Sequence, residues 1–223
     1  MMERAISADG IAGRLRHDWD RWLLGALLLA FNLPLFLGYD TDRFAFYPGL
    51  LRQGRWWLLF TGQFAHITWY HFLLDGLPFL LVYCTLTERN SFRRFVYFFV
   101  AGIGSVAAAT LFSTDIAQYG LRGFSGITYG IMAVSSLELA LARGNGRANR
   151  TIGLSLFVLL LGLIAFELIT GRFPFEFLLF HMAGRPILIC HAGGVIGALC
   201  AYLVFRMRTE FPAGRIRRER LEV

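Results

Sequence analysis

From Trp22 onward, long apolar runs alternate with short polar connections. Six runs, at about 22–38, 70–87, 93–112, 125–142, 152–169 and 186–205, approach the roughly 20 apolar residues a helix needs to cross a bilayer. Backbone polar groups in lipid must pair internally, so repeated runs of this length predict a helix bundle. The expected fold is an all-α membrane protein, a six-transmembrane-helix bundle. The first run contains Asn32 and Pro34 and lacks a small-residue cleavage site, which predicts a retained span. No linker or repeat divides the chain. It reads as an N-terminal tail (1–21), a membrane domain (22–205) and a basic C-terminal tail (206–223).

Two connections are too apolar for free loops. Segment 39–69 carries Arg55-Trp56-Trp57-Leu58-Leu59-Phe60 and is expected in the outer interface, which aromatic residues favour. The 170–185 loop, with Phe173, Phe175, Phe177 and Phe180, reads equally as an interfacial loop or as a cap over the bundle.

Composition agrees with the pattern. Of 223 residues, 56% are hydrophobic and 16% aromatic, and the mean hydropathy of +0.54 is too high for an ordinary soluble domain. The net charge of +7 comes entirely from arginine on the basic side. Sixteen of the 22 arginines fall in the two tails and the 87–94 and 143–150 connections, which places both termini in the cytoplasm. Arginines gathered at the ends of apolar runs are a topology signal, so nucleic acid is excluded as a partner and the lipid bilayer is implied. Cys84, Cys190 and Cys200 are odd in number and widely spaced inside spans. They predict neither a disulfide framework nor a metal site, only small buried hydrophobes, and no cofactor is expected.

Ionisable residues are costly within a span and are functional candidates there. Ser125 lies 18 residues before Arg143, and His191 lies 15 before Arg206. His71 and Asp75 lie 18 and 14 before Arg89. At about 1.5 Å per residue these counts put all four roughly 21–27 Å from the cytoplasmic arginines, in one layer near the outer face. Gly126 and Gly130 follow the serine, and Gly194 and Ala198 follow the histidine. Such small residues let helices meet closely in lipid. Close approach is what a hydroxyl and an imidazole need to come within about 3 Å for proton abstraction. Tyr129, one turn below Ser125, is expected either in the core or against the His191 ring. Asp115 reads as solvated, and Glu138 and Glu167, near span ends, are expected to reach toward water. A hydrolase built this way is a Ser/His dyad.

These residues resemble the rhomboid intramembrane serine proteases, from Trp57 to the end of the sixth span. Gly123-Phe124-Ser125-Gly126 is similar to the family's Gly-x-Ser-Gly nucleophile motif. His191 with Gly194 and Ala198 is similar to its last-span motif. His66, His71 and a polar residue at 75 resemble its loop and second span, and Glu88-Arg89 fits the next turn. The resemblance implies Ser125 as nucleophile and His191 as general base and acid. It implies the Ser125 N–H and His71 as oxyanion donors, transmembrane proteins as substrates, and lateral entry gated by the 170–185 loop and fifth span. It also implies a bacterial inner (plasma) membrane protein whose site faces the periplasm.

Two departures stand out. The family usually has asparagine where this chain has Asp75. The expectation is that Asp75 is either neutral, and donates a hydrogen bond, or orients His71. The family's Trp-Arg pair reads Trp57-Leu58 here, with Arg55 before it as a plain interfacial arginine. Asp75, the small core and Leu121-Arg122-Gly123-Phe124-Ser125-Gly126 are similar to the rhombosortase branch, which implies removal of C-terminal Gly-Gly-type anchor segments. The alternative functions are a non-catalytic rhomboid-like protein that binds transmembrane helices and, less in keeping with the absence of repeats and broken helices, a proton-coupled transporter.

Overall fold

The computed structural model describes residues 18–142, 144–180 and 182–210; tail residues 1–17 and 211–223, with Arg143 and His181, lie outside them. The main helices are α1 (Trp19–Phe36), α2 (Pro48–Leu51), α3 (Leu58–Phe64), α4 (Trp69–Thr85), α5 (Ser91–Phe112), α6 (Ile116–Tyr119), α7 (Ser125–Leu141), α8 (Arg147–Thr170) and α9 (Ile189–Glu210). A helix occupies every apolar run. Among the described residues, α5, α8 and the Ile189–Met207 part of α9 are each long and apolar enough to cross a membrane. The pair α3 and α4 reaches the same measure together, bent by 96° at the break between them. The apolar α7 is shorter, at 17 residues.

α7 is the centre of the bundle, with α4, α5, α8 and α9 around it. It can be central because its small residues let neighbours close in. A Cβ at Gly130 would meet the Gly194 carbonyl of α9 and stand 3.0 Å from the side chains of Ala101 and Ala198. A Cβ at Gly194 would fall on the Gly126 carbonyl, and Gly193 abuts Gly104 of α5 in the same way. These contacts replace side-chain interdigitation with backbone packing, as small residues do in lipid.

α1 packs through a stripe four residues apart, Asp20, Leu24, Leu28 and Asn32. The helix begins at Trp19, and Asp20, read in the sequence as part of the tail, is fully buried inside it. The reason is Arg94, whose Nε and Nη2 donate to its two carboxylate oxygens at 2.8 and 2.7 Å, while Tyr83 O–H donates at 2.7 Å. α9 likewise continues past the expected 205 to Glu210. Glu138, expected to reach for water, is buried and accepts from the Thr87 N–H at 2.6 Å, tying α7 to the connection after α4. Of the cysteines, Cys190 is buried as expected, but Cys84 and Cys200 are exposed on outward helix faces.

α8 is built differently. Its buried residues are Gly153, Leu160, Ile164 and Glu167, one narrow stripe on an otherwise bare apolar helix. Gly153 lets that stripe press on the Ser136–Ala140 backbone of α7.

Candidate active site

The Ser125 loop is held from below and from the side. An isolated bridge pairs Phe46 with Leu121, each N–H donating to the other's carbonyl at 3.1 and 2.8 Å. Arg122 pairs with Asp42 of the 39–69 segment. Gly123 then turns with φ +95°, where a Cβ would fall against Asp75 Oδ2 and lie 3.2 Å from His71 Nε2. Only glycine fits both the dihedral and the space. Phe124 follows, fully buried, with its ring 4.5 Å from Phe79 and 4.8 Å from Phe64. The aromatic anchor fixes where α7 starts, and Ser125 is its first residue. The N–H groups of that first turn have no partner within the helix and carry the positive end of its dipole.

Ser125, His71, Asp75 and His191 all line one cavity of about 560 Å³. The 170–185 loop covers it with Phe173, Phe175, Leu178 and Leu179. Tyr70 O–H donates to the Leu178 carbonyl and Thr68 Oγ1 to the Met182 carbonyl, both at 2.6 Å, so the loop is bonded to α4 as a cap. Asp115, expected to be solvated, pairs with Arg185 of the same region at 3.1 Å.

Ser125 Oγ contacts Cys190 Sγ at 3.8 Å rather than hydrogen-bonding to His191, the next residue along α9. Tyr129 lies against His191, their rings parallel within 11° at 4.0 Å.

Glu167 corrects the expectation that it reaches for water. It is 1% exposed, and Oε2 lies 2.7 Å from His191 Nδ1 while Oε1 accepts from Tyr129 O–H at 2.9 Å. The histidine thus has a carboxylate partner that the dyad reading omits. Depth held the missed signal: Glu167 lies 17 residues after Arg150, roughly 26 Å along a helix, level with Ser125.

The second polar group is centred on Asp75. Its Oδ2 accepts from the Phe124 N–H and stands 3.3 Å from His66 Nε2 and 3.9 Å from His71 Nε2. His66, fully buried, places Nδ1 3.0 Å from Asn32 Oδ1, and Asn32 spends its own N–H groups on the Leu28 and Phe64 carbonyls. Asn32 Oδ1 must then accept, which assigns the proton to His66 Nδ1. His71 Nδ1 accepts from the Ile67 N–H at 3.3 Å, so neutral His71 carries its proton on Nε2, on the Asp75 side. Sequence reasoning named His66 only through resemblance and did not foresee Asn32 behind it.

Residues 53–208 match the Rhomboid domain family. The chain is also similar to "Rhomboid-like protease 1" of Toxoplasma gondii, 29% identical over 129 residues covering 56% of this chain. The match spans 43% of that relative, less than half its length. No solved structure matches.

Proposed function

The chain belongs to the rhomboid family, and from that premise we propose that it is an intramembrane serine endopeptidase cutting membrane-anchored proteins near the outer face. One observation carries the reading: Ser125 and His191 line a single capped cavity, on helices that touch backbone to backbone at Gly126 and Gly194. In this proposal the bundle has six spans, both termini are cytoplasmic, and the site faces the periplasm from a bacterial inner membrane.

His191 Nε2 removes the Ser125 proton as Oγ attacks the scissile carbonyl carbon. The carbonyl oxygen becomes an oxyanion, received by the Ser125 N–H and by His71 Nε2–H. Collapse breaks the C–N bond, and His191 returns the proton to the leaving amine. Water, deprotonated by the same imidazole, then attacks the acyl carbon; the C–Oγ bond breaks, the new carboxyl terminus leaves, and the proton returns to Ser125 Oγ. Asp75 serves as an acceptor that fixes the nucleophile turn. The Phe124 N–H bonded to it supports that role. By the similarity to rhombosortases, the substrates carry C-terminal Gly-Gly-type anchors; replacing Gly-Gly by Leu-Leu in such a reporter is expected to block its cleavage.

The test is labelling of purified protein by a fluorophosphonate, with cleavage of a single-span reporter beside it. Ser125→Ala is expected to abolish both, and His191→Ala to abolish cleavage, while the unfolding temperature holds. Absence of labelling in the unaltered protein would replace this reading by the helix-binding one.

A further inference from the structure

Glu167 is a carboxylate buried in a helix that otherwise presents apolar side chains to lipid. An isolated charge in such a place is very costly, so it persists only where partners are fixed around it. Its partners are fixed. One oxygen meets His191 Nδ1 at 2.7 Å, the other accepts from Tyr129, and the Tyr129 ring lies flat on the same imidazole. Carboxylate, phenol and imidazole form a closed set contributed by α8, α7 and α9. The rest of the α8 stripe, Gly153, Leu160 and Ile164, is apolar, so Glu167 is out of keeping with simple packing.

The set faces one way. A carboxylate that accepts from Tyr129 also accepts from His191, which puts the imidazole proton on Nδ1 and leaves the Nε2 lone pair free. His191 lines the cavity that Ser125 lines, and Glu167 does not, so the carboxylate stands behind the base.

Resting on the protease reading above, we infer that Glu167 is the positioning residue of a Ser125–His191–Glu167 triad in place of a dyad. It holds His191 in the tautomer able to accept the Ser125 proton and stabilises the imidazolium formed by that transfer. Glu167 itself stays ionised throughout. The proton moves from Oγ to Nε2 and on to the leaving amine. Tyr129 keeps the carboxylate and the ring in register. A purely structural Glu167 would instead hold α8 to the bundle and leave the tautomer unaffected.

The experiment uses the full chain in detergent micelles and has two readouts. In fluorophosphonate labelling, Glu167→Gln is expected to slow the rate on the order of 10²–10⁴-fold at neutral pH, the scale seen when a triad acid is made an amide. Glu167→Asp restores part of it, and Tyr129→Phe costs less than tenfold. With reporter cleavage, the loss falls on kcat and leaves KM near its original value. The second readout, ¹⁵N NMR of labelled histidine, needs no activity. With five histidines in the chain, His191→Gln assigns the signal. The unaltered protein is expected to show His191 as the Nδ1–H tautomer, and Glu167→Gln to shift it toward Nε2–H.

Unaltered protein that labels no faster than Glu167→Gln overturns the triad and leaves the protease reading standing. An Nε2–H tautomer in the unaltered protein also overturns it, even if Glu167→Gln fails to fold. Protein that never labels but shows the Nδ1–H tautomer sinks the protease reading and retains the positioning of His191 by Glu167.

Discussion

Among the described residues, the polar cluster around Arg94 and the one around Ser125 lie at opposite ends of the bundle, and they are finished differently. On the side of the 87–94 connection, Arg94 grips both oxygens of Asp20, bonds the Glu88 and Arg89 carbonyls and the Ser91 hydroxyl, and shares Asp20 with Tyr83. That cluster is closed. Its groups satisfy one another, and none of Asp20, Tyr83 or Arg94 lines the cavity that Ser125 lines. At the other end, Asp75, His71, Ser125 and His191 are held from behind and present their remaining donors and acceptors to about 560 Å³ of space. Burial alone therefore does not mark a reactive site. What separates the two is whether the bonding capacity is used up.

The sharpest break in that comparison is Ser125→Ala. Reporter cleavage is expected to fall at least 10³-fold, with the unfolding midpoint in detergent hardly moved, since the hydroxyl completes no structural network. Next is Arg94→Met at the closed end, which strands Asp20 without its charge partner. Breaking a buried pair typically costs about 3–5 kcal/mol, read as an earlier unfolding midpoint, while the folded fraction labels at the unaltered rate. Gly194→Ala is expected to cost about 1–3 kcal/mol, because the added methyl meets the Gly126 carbonyl and must force α7 from α9. Slower labelling should accompany it as Ser125 and His191 move apart. The smallest is Asp75→Asn. An amide oxygen still accepts from Phe124 N–H, so labelling should slow only about tenfold, through the lost charge beside His66 and His71. A loss as deep as that of Ser125→Ala would mean that Asp75 acts directly on the substrate.

Much of the Ser125 cluster was legible in the chain. Arginine-to-polar-residue counts put Ser125, His71, Asp75 and His191 in one layer, and the glycines beside them announced close helices. The same count applied to α8 gives Glu167, but a rule that span ends are wet hid it. Here the 170–185 loop covers that end, so nearness to a helix terminus did not mean nearness to water. The Asp20–Arg94 pair was hidden for the opposite reason. Both residues carried a topology meaning, tail and cytoplasmic connection, which concealed that they face each other across 74 positions. Asn32 was visible only as an oddity in an apolar run, because its partners His66 and Phe64 come from a bend that the hydrophobic pattern does not show.

The joints that α9 makes with α7 and with α5 are, in a machinist's terms, interference fits. Gly126 against Gly194, Gly193 against Gly104, and Gly197 against the Val100 carbonyl leave no clearance for a shim as thin as one methyl group. Two shafts seated this way cannot slide or counter-rotate without lifting apart. The spacing between serine and histidine is therefore gauged by the backbone itself.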